Sequence, residues 1–335
     1  MDNNELIHEA FDARARRREE RRAFFRTAAA AGAAVAGASV LASCGGKNDN
    51  TPGGGATATP TPTATSTSGN DLTDVDVLVF ALQLEYLEAQ FYSFAANGVG
   101  LPNNLLTGAG VQGAVSGGRQ VNFTDPLVAK FAREIAGDEL AHVTFLRRTL
   151  GSAVVAQPPI DVSANSVGGF SAVARAAGLA PAGGSFDPYA SDENFLLGAF
   201  IFEDVGVTAY KGAAPLISSK VFLEASAGLL AAEAYHAGLI RTVLSRKGLA
   251  TPMLINASEA ISSARDAIDG STDIDQGVRP IGDQSNVVPT DSNGLAFSRS
   301  TLQVLNILFV TNTSTITGGF FPSGLNGRIV GSGAN

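Results

Sequence analysis

The sequence predicts an all-α protein built on a four-helix bundle, on three observations. Glu-x-x-His occurs twice, as Glu139-Leu-Ala-His142 and Glu233-Ala-Tyr-His236; four long segments carry apolar residues at alternating spacings of four and three; and about forty residues separate the second of these from the third. A carboxylate and an imidazole three positions apart share one helix face. Two such helices, facing two others that each supply a glutamate, provide what a carboxylate-bridged pair of metal ions needs at a bundle centre.

The chain opens with a basic stretch rather than with the bundle. Seven of the 23 basic residues and six of the 31 acidic ones fall within residues 1–43, so 16 basic and 25 acidic residues lie beyond them. That acidic remainder argues against nucleic acid as a partner. Arg21-Arg22-Ala23-Phe24-Phe25-Arg26 resembles a twin-arginine export signal, the Ala-rich segment after it suits the apolar part of such a signal, and Leu41-Ala42-Ser43-Cys44 resembles a bacterial lipobox. Residues 1–44 are therefore expected to be a signal, read by the twin-arginine translocase, that leaves Cys44 acylated in the periplasm or cell envelope. The competing reading is a basic helix running into an ordinary Ala-rich helix. Cys44 is the single cysteine, which excludes a disulfide or a thiolate metal site within one chain. Residues 45–70, rich in Gly, Thr, Pro and Ala, have little to bury and read as a tether.

The bundle is expected over residues 71–248. A first helix, 71–97, places Leu78, Leu82, Glu85, Ala89 and Tyr92 on one stripe. The second starts at Thr124 or Asp125, with Pro126 in its first turn, and aligns Val128, Ala132, Ile135, Glu139, His142 and Leu146. The third, from about Asp192, aligns Leu196, Phe200, Glu203, Val207 and Tyr210; the fourth aligns Phe222, Ser226, Leu229, Glu233, His236, Ile240 and Val243. The long connection, 151–191, suits a crossover that makes the third helix parallel to the second, with a short helix at 170–178 on the way. Residues 249–335 are additional, with helices expected at 256–268 and 298–310, packed on the bundle as a cap.

Each of Glu85, Glu139, His142, Glu203, Glu233 and His236 thus occupies a position where an apolar side chain is expected. Burying them unpaired would cost several kcal/mol each. No Lys or Arg shares their stripes, whereas two divalent cations balance four carboxylates, with two neutral imidazoles completing the set. The alternative for each histidine is a buried ring bonded to backbone. The neighbours Glu88 and Asp204 fall off the stripes and are expected to be solvated or to act behind the ligands. Asp138 is a candidate partner for a ligand imidazole's free N–H. Tyr92 and Tyr210, each seven residues after a stripe glutamate, are candidate hydrogen-bonding or electron-relay groups, although an aromatic at that spacing is more often plain core. The two halves repeat one plan, since Arg147 and Arg241 also each stand five residues after a stripe histidine.

The order Glu85, Glu139-x-x-His142, Glu203, Glu233-x-x-His236 resembles the ferritin-like di-iron superfamily. Within it, Leu84-Glu85-Tyr86-Leu87-Glu88-Ala89 and the run Gly318-Gly319-Phe320-Phe321-Pro322-Ser323-Gly324-Leu325-Asn326-Gly327 are similar to the desiccation-related proteins. The resemblance implies a ferritin-like bundle with a long crossover, two iron or manganese ions, and chemistry on dioxygen or peroxide, drawing on an external electron donor unless peroxide is disproportionated. It equally implies a non-enzymatic role in protection during drying.

Overall fold

The computed structural model describes residues 72–335; the expected signal at Arg21 and Arg22, the lipidation site Cys44 and the 45–70 tether lie outside the described residues. Four long helices form the bundle: α1 (Asp74–Asn97), α2 (Pro126–Leu150), α4 (Asp192–Ala213) and α5 (Lys220–Ala250). A shorter α3 (Gly169–Ala176) lies in the crossover, and α6 (Pro252–Asp269) and α7 (Thr301–Phe309) follow the bundle. The tightest pairings are α1 with α2 and α4 with α5. No helix among the described residues is long and apolar enough to cross a membrane.

Local chemistry sets each helix start. Thr73 and Asp76 form a reciprocal capping box on α1, and Gly98, at φ 76°, ends it in a left-handed turn. Asp125 caps α2 with Pro126 in the first turn, Ser191 caps α4, and Ser219 caps α5. Two carboxylates then tie these starts together. Asp192 accepts from the backbone N–H groups of Thr124 and Asp125 and from the Thr124 hydroxyl, and Asp74 accepts from the backbone of Ser218 and Ser219. The starts of α2 and α4 therefore share one end of the bundle, the arrangement the crossover was expected to give. A feature absent from the sequence reading is a short parallel strand pair, β1 (Val115–Gly117) with β2 (Ile160–Val162), which fastens the α1–α2 connection to the crossover.

The segment after the bundle is built into the core. Phe320 and Phe321 are buried, with the Phe320 ring edge-on to Phe170 at 5.1 Å and to Phe202 at 4.8 Å. The chain reaches that position through Gly319, at φ 47°, where any Cβ would stand 2.3 Å from the Leu308 carbonyl oxygen. Asn326 donates to the carbonyls of Val111 and Ala156 and accepts from Val111 N–H, while its own N–H donates to Gln83 of α1. These contacts cover the face of α1 that a solvated bundle would leave open.

A buried ionic network joins the extension to α4. Asp204 accepts from Arg241 at 2.8 Å and from Arg265 at 3.2 Å; Asp275 bridges Arg265 at 2.6 Å and Arg299 at 2.7 Å; Asp269 accepts from Arg299 at 2.6 Å. Three guanidiniums meet three carboxylates with almost no solvent contact. Removing one member strands a buried charge, which typically costs about 3–5 kcal/mol. Asp275→Ala, which takes one of two carboxylate partners from both Arg265 and Arg299 and leaves three guanidiniums against two carboxylates, is expected to lower the stability measured by chemical unfolding by about that amount, whereas Asp283→Ala on the exposed surface leaves it unchanged within about 0.5 kcal/mol.

Candidate metal centre

The bundle interior collects the six sequence-predicted groups into one cluster. Ligand atoms of Glu85, Glu139, His142 and Glu233 lie within 4.8 Å of one another, as do those of Glu139, Glu203 and His236. Glu139 belongs to both sets. All six side chains are buried. His142 Nδ1 stands 3.1 Å from Glu85, 3.4 Å from Glu139 and 3.7 Å from Glu233; His236 Nδ1 stands 3.0 Å from Glu139 and 3.6 Å from Glu203. The two rings stack loosely, with centroids 6.0 Å apart.

These groups fit a pair of cations better than they fit each other. Both oxygens of Glu139 and of Glu233, Glu203 Oε2 and His236 Nδ1 are buried and make no hydrogen bond, although His236 Nδ1 is only 3.0 Å from Glu139 Oε1. Donor atoms that stand so close without pointing a proton at each other aim at a common third point. Two ligands ~2.1 Å from one divalent ion, at right angles, are ~3.0 Å apart. Among the described residues no Lys or Arg pairs with these carboxylates; Arg241 and Arg265 are spent on Asp204. The cluster is thus compatible with a dinuclear site, with Glu139 common to its two halves.

The surrounding groups follow a pseudo-twofold plan. Tyr92 of α1 donates to Glu203 Oε1 of α4, and Tyr210 of α4 donates to Glu85 Oε1 of α1, each holding the carboxylate of the opposite helix. Arg147 donates to Tyr86, the residue after Glu85, and Arg241 to Asp204, the residue after Glu203. Asp138 Oδ2 lies 3.4 Å from His236 Nε2, so that ring presents Nδ1 to the cluster and its other nitrogen to a carboxylate.

Of the two alternatives for Glu88 and Asp204, solvated or behind the ligands, neither residue takes the first. Glu88 is buried, not solvated, and faces the centre: Glu139, Glu203 and Glu85 all bear on its charge. Asp204 is likewise buried, held by Arg241 and Arg265 behind Glu203. The stripes left that choice open because α1 and α4 are covered on nearly every side. A sequence signal was available in Glu85-x-x-Glu88, which has the spacing of the Glu-x-x-His pairs.

Electrostatics agree with a proton-laden cluster wherever cations are lacking. Burial pushes Glu85 up to about 7 and Glu203 up to about 8, against the pull of His142 and His236 respectively. Burial, reinforced by neighbouring carboxylates, drives Glu88 and Glu233 well above the carboxylate range. Burial alone would lower the imidazoles, but Glu85 beside His142 and Glu203 beside His236 raise both to about 11. Against burial, the two close imidazoles hold Glu139 below the usual carboxylate range.

A helical bundle whose centre carries two Glu-x-x-His helices and two further glutamates defines a class of carboxylate-histidine metal proteins. The chain belongs to the ferritin-like domain family, whose model matches residues 73–246. It is 31% identical to the desiccation-related protein PCC13-62 of Craterostigma plantagineum over 76% of this chain and 84% of that one. It is 29% identical to the ferritin-like catalase Nec2 of Nesocodon mauritianus over 78% of this chain and 86% of the relative. No solved structure gives a significant match.

Two outcomes test the geometry. A Cβ at Gly206 would stand 2.2 Å from Glu233 Oε2. Gly206→Ala is expected to displace that carboxylate and weaken metal binding by about 10- to 100-fold, with the helical fold intact, as read by metal titration and circular dichroism. The second concerns pH. Glu85, Glu203 and both imidazoles have folded values above their unfolded ones, so the metal-free cluster binds more protons than the unfolded chain, and its stability is lost as pH rises. The melting temperature of metal-free protein should fall between about pH 5 and pH 8, and the gain on adding metal should widen over the same window as protons compete less.

Proposed function

We propose that this chain is an exported, lipid-anchored protein whose six groups hold two iron or manganese ions and handle peroxide in the cell envelope. The observation that carries the reading is the pair of buried ligand sets sharing Glu139, with five carboxylate oxygens and one imidazole nitrogen left without hydrogen bonds. Two such ions, when bound, supply the two-electron reservoir that peroxide disproportionation requires. The relative named a ferritin-like catalase supports peroxide as substrate. With one cysteine in the chain there is no four-thiolate electron-transfer site, so disproportionation needs no partner, whereas peroxide reduction would draw on an external electron donor.

The protein's own groups have separable tasks. Glu139 joins the two halves, Glu85 with His142 serves one and Glu203 with His236 the other, and Glu233 completes the first set. Tyr92 and Tyr210 hold the outer carboxylates in orientation by donating to Oε1 and leaving Oε2 toward the ions. Asp138 fixes the tautomer of His236 that keeps Nδ1 available. Glu88, a fifth buried glutamate, stands beside the centre, where burial and the neighbouring carboxylates push its carboxyl well above the usual range when the ions are lacking. Export follows from the arginine pair Arg21 and Arg22 and lipidation from Cys44; the translocase and a membrane surface are the implied partners.

A second reading, protection of envelope surfaces during drying with the metals serving structure alone, is favoured by the relative named desiccation-related. Metal analysis of the protein as isolated, followed by peroxide consumption, separates the two. The proposal expects two iron or manganese ions per chain, and a Glu139→Ala variant that loses them and at least about a hundredfold of peroxide turnover. Metal with no turnover moves the conclusion to the second reading. A chain that never takes up metal ends the first reading and leaves the second in a metal-free form.

A further inference from the structure

The outer side of α5 carries an exposed face without charge over most of its length. Glu224 and Arg246 are both exposed, but the charged and imidazole side chains between them, Glu233, His236 and Arg241, are all buried, which leaves about 33 Å of helix with none toward solvent. That face presents Gly228, Ala231, Tyr235, Leu239 and Thr242 instead, with Tyr235 80% exposed and Leu239 half-buried. The Thr242 hydroxyl donates to the Gly238 carbonyl of its own helix, so it adds no unmet donor. Beside Tyr235 lies a groove of about 670 Å³, walled by Leu239 and Val243 of α5, Phe131 of α2, and Val287 and Val288 beyond α6. Single apolar residues on a surface are ordinary, whereas a contiguous uncharged face beside an apolar groove marks a contact surface.

The order of residues along the face says what covers it. Counted outward from Tyr235, it continues at four, seven and eleven residues in both directions: Ala231 and Leu239, Gly228 and Thr242, Glu224 and Arg246. Two such helices laid antiparallel about a twofold axis through Tyr235 set each residue opposite the one at equal distance on the other side. Ala231 then meets Leu239 of the second copy, a small side chain against a large one. Gly228, where a Cβ would touch nothing within 4 Å, meets Thr242. Glu224 meets Arg246 at both ends, and neither has an ion pair within the chain among the described residues. A parallel pairing would instead oppose like charges at each end. We propose that the occupant is a second copy of this chain, joined through α5 in an antiparallel, twofold-symmetric dimer centred on Tyr235. The contact goes beyond the peroxide reading and does not depend on it. Tyr235 lies between Glu233 and His236 in sequence but is exposed where they are buried, so the dimer covers the outside of a helix whose inside holds the centre.

Sedimentation velocity tests it on the full chain carrying Cys44→Ser, which removes both the lipidation site and the single thiol that could join two copies. At about 10 µM, within the range over which contacts of standard size hold, the chain is expected to sediment as a dimer. Glu224→Arg alone, or Arg246→Glu alone, sets like charges against each other at both ends and should weaken association by about tenfold or more. The two changes together should restore it, because they exchange the charges without altering the pairing. Tyr235→Glu places two carboxylates on the axis and should weaken association by about a hundredfold. All three positions are exposed, so the helical circular dichroism and the metal content should not change. A monomer at this concentration, which would leave the face to another occupant, a dimer indifferent to the single changes, or an exchange of charges that restores nothing each overturns the contact.

Discussion

The structure depends on one electrostatic constraint: five glutamates and two histidines share the dry interior of a helical bundle, and no guanidinium or ammonium among the described residues pairs with them. Hydrophobic burial alone cannot sustain this, since each unpaired charge forfeits more solvation than several packed side chains return. Two escapes exist, protons or cations. Protonation neutralises the carboxylates, but it leaves Glu139, Glu203 and Glu233 with oxygens that nothing in the fold hydrogen-bonds. Cations satisfy both charge and directionality. The unpaired lone pairs, more than the residue types, therefore argue for metal.

That demand explains the symmetry around the cluster. A carboxylate offers two oxygens, and one must be restrained if the other is to point at an ion. Tyr92 and Tyr210 each restrain the glutamate of the opposing helix, so neither α1 nor α4 can shift without releasing the other's ligand. Arg147 and Arg241 repeat the scheme one layer out, on the residues that follow Glu85 and Glu203, but with different partners. Tyr86 is a phenol that also donates to the loop carbonyls of Leu105 and Val155, whereas Asp204 is a charge that draws in Arg265 from α6. The halves match where they meet the centre and diverge where each meets its own covering.

The fold was legible where periodicity and capping agree. The four bundle helices begin where Thr73, Asp125, Ser191 and Ser219 cap them, and the glutamates and histidines in apolar slots announced the cluster before any coordinates. What escaped has a common cause. A 3.6-residue stripe identifies a site only on a helix with a wet side; α2 has one, and Glu139 and His142 stand out on it. By contrast α1 is buried almost all round, so the stripe could not decide whether Glu88 is solvated or lies against the centre. Strands of three residues, β1 and β2, carry too little pattern to be seen. The role of Phe320 and Asn326 rests on contacts with residues more than a hundred positions away, which no local pattern encodes.

The extension after the bundle must accordingly be counted as part of the centre's scaffold and not as a cover laid over a finished domain. Glu203 reaches the cluster from the same helical turn that carries Asp204, and Asp204 is held by Arg241 of the bundle and Arg265 of the extension. Arg265 also donates to the backbone carbonyls of Phe200 and Ile201, fixing the turn immediately before Glu203. Without α6 those carbonyls lose Arg265 and Asp204 keeps Arg241 alone, so the turn beside Glu203 loses part of its restraint. A bundle ending at residue 248 would retain every ligand candidate, yet it would hold one of them only through Tyr92. Placement of the ligands is legible in the bundle sequence, but their rigidity is supplied from beyond it.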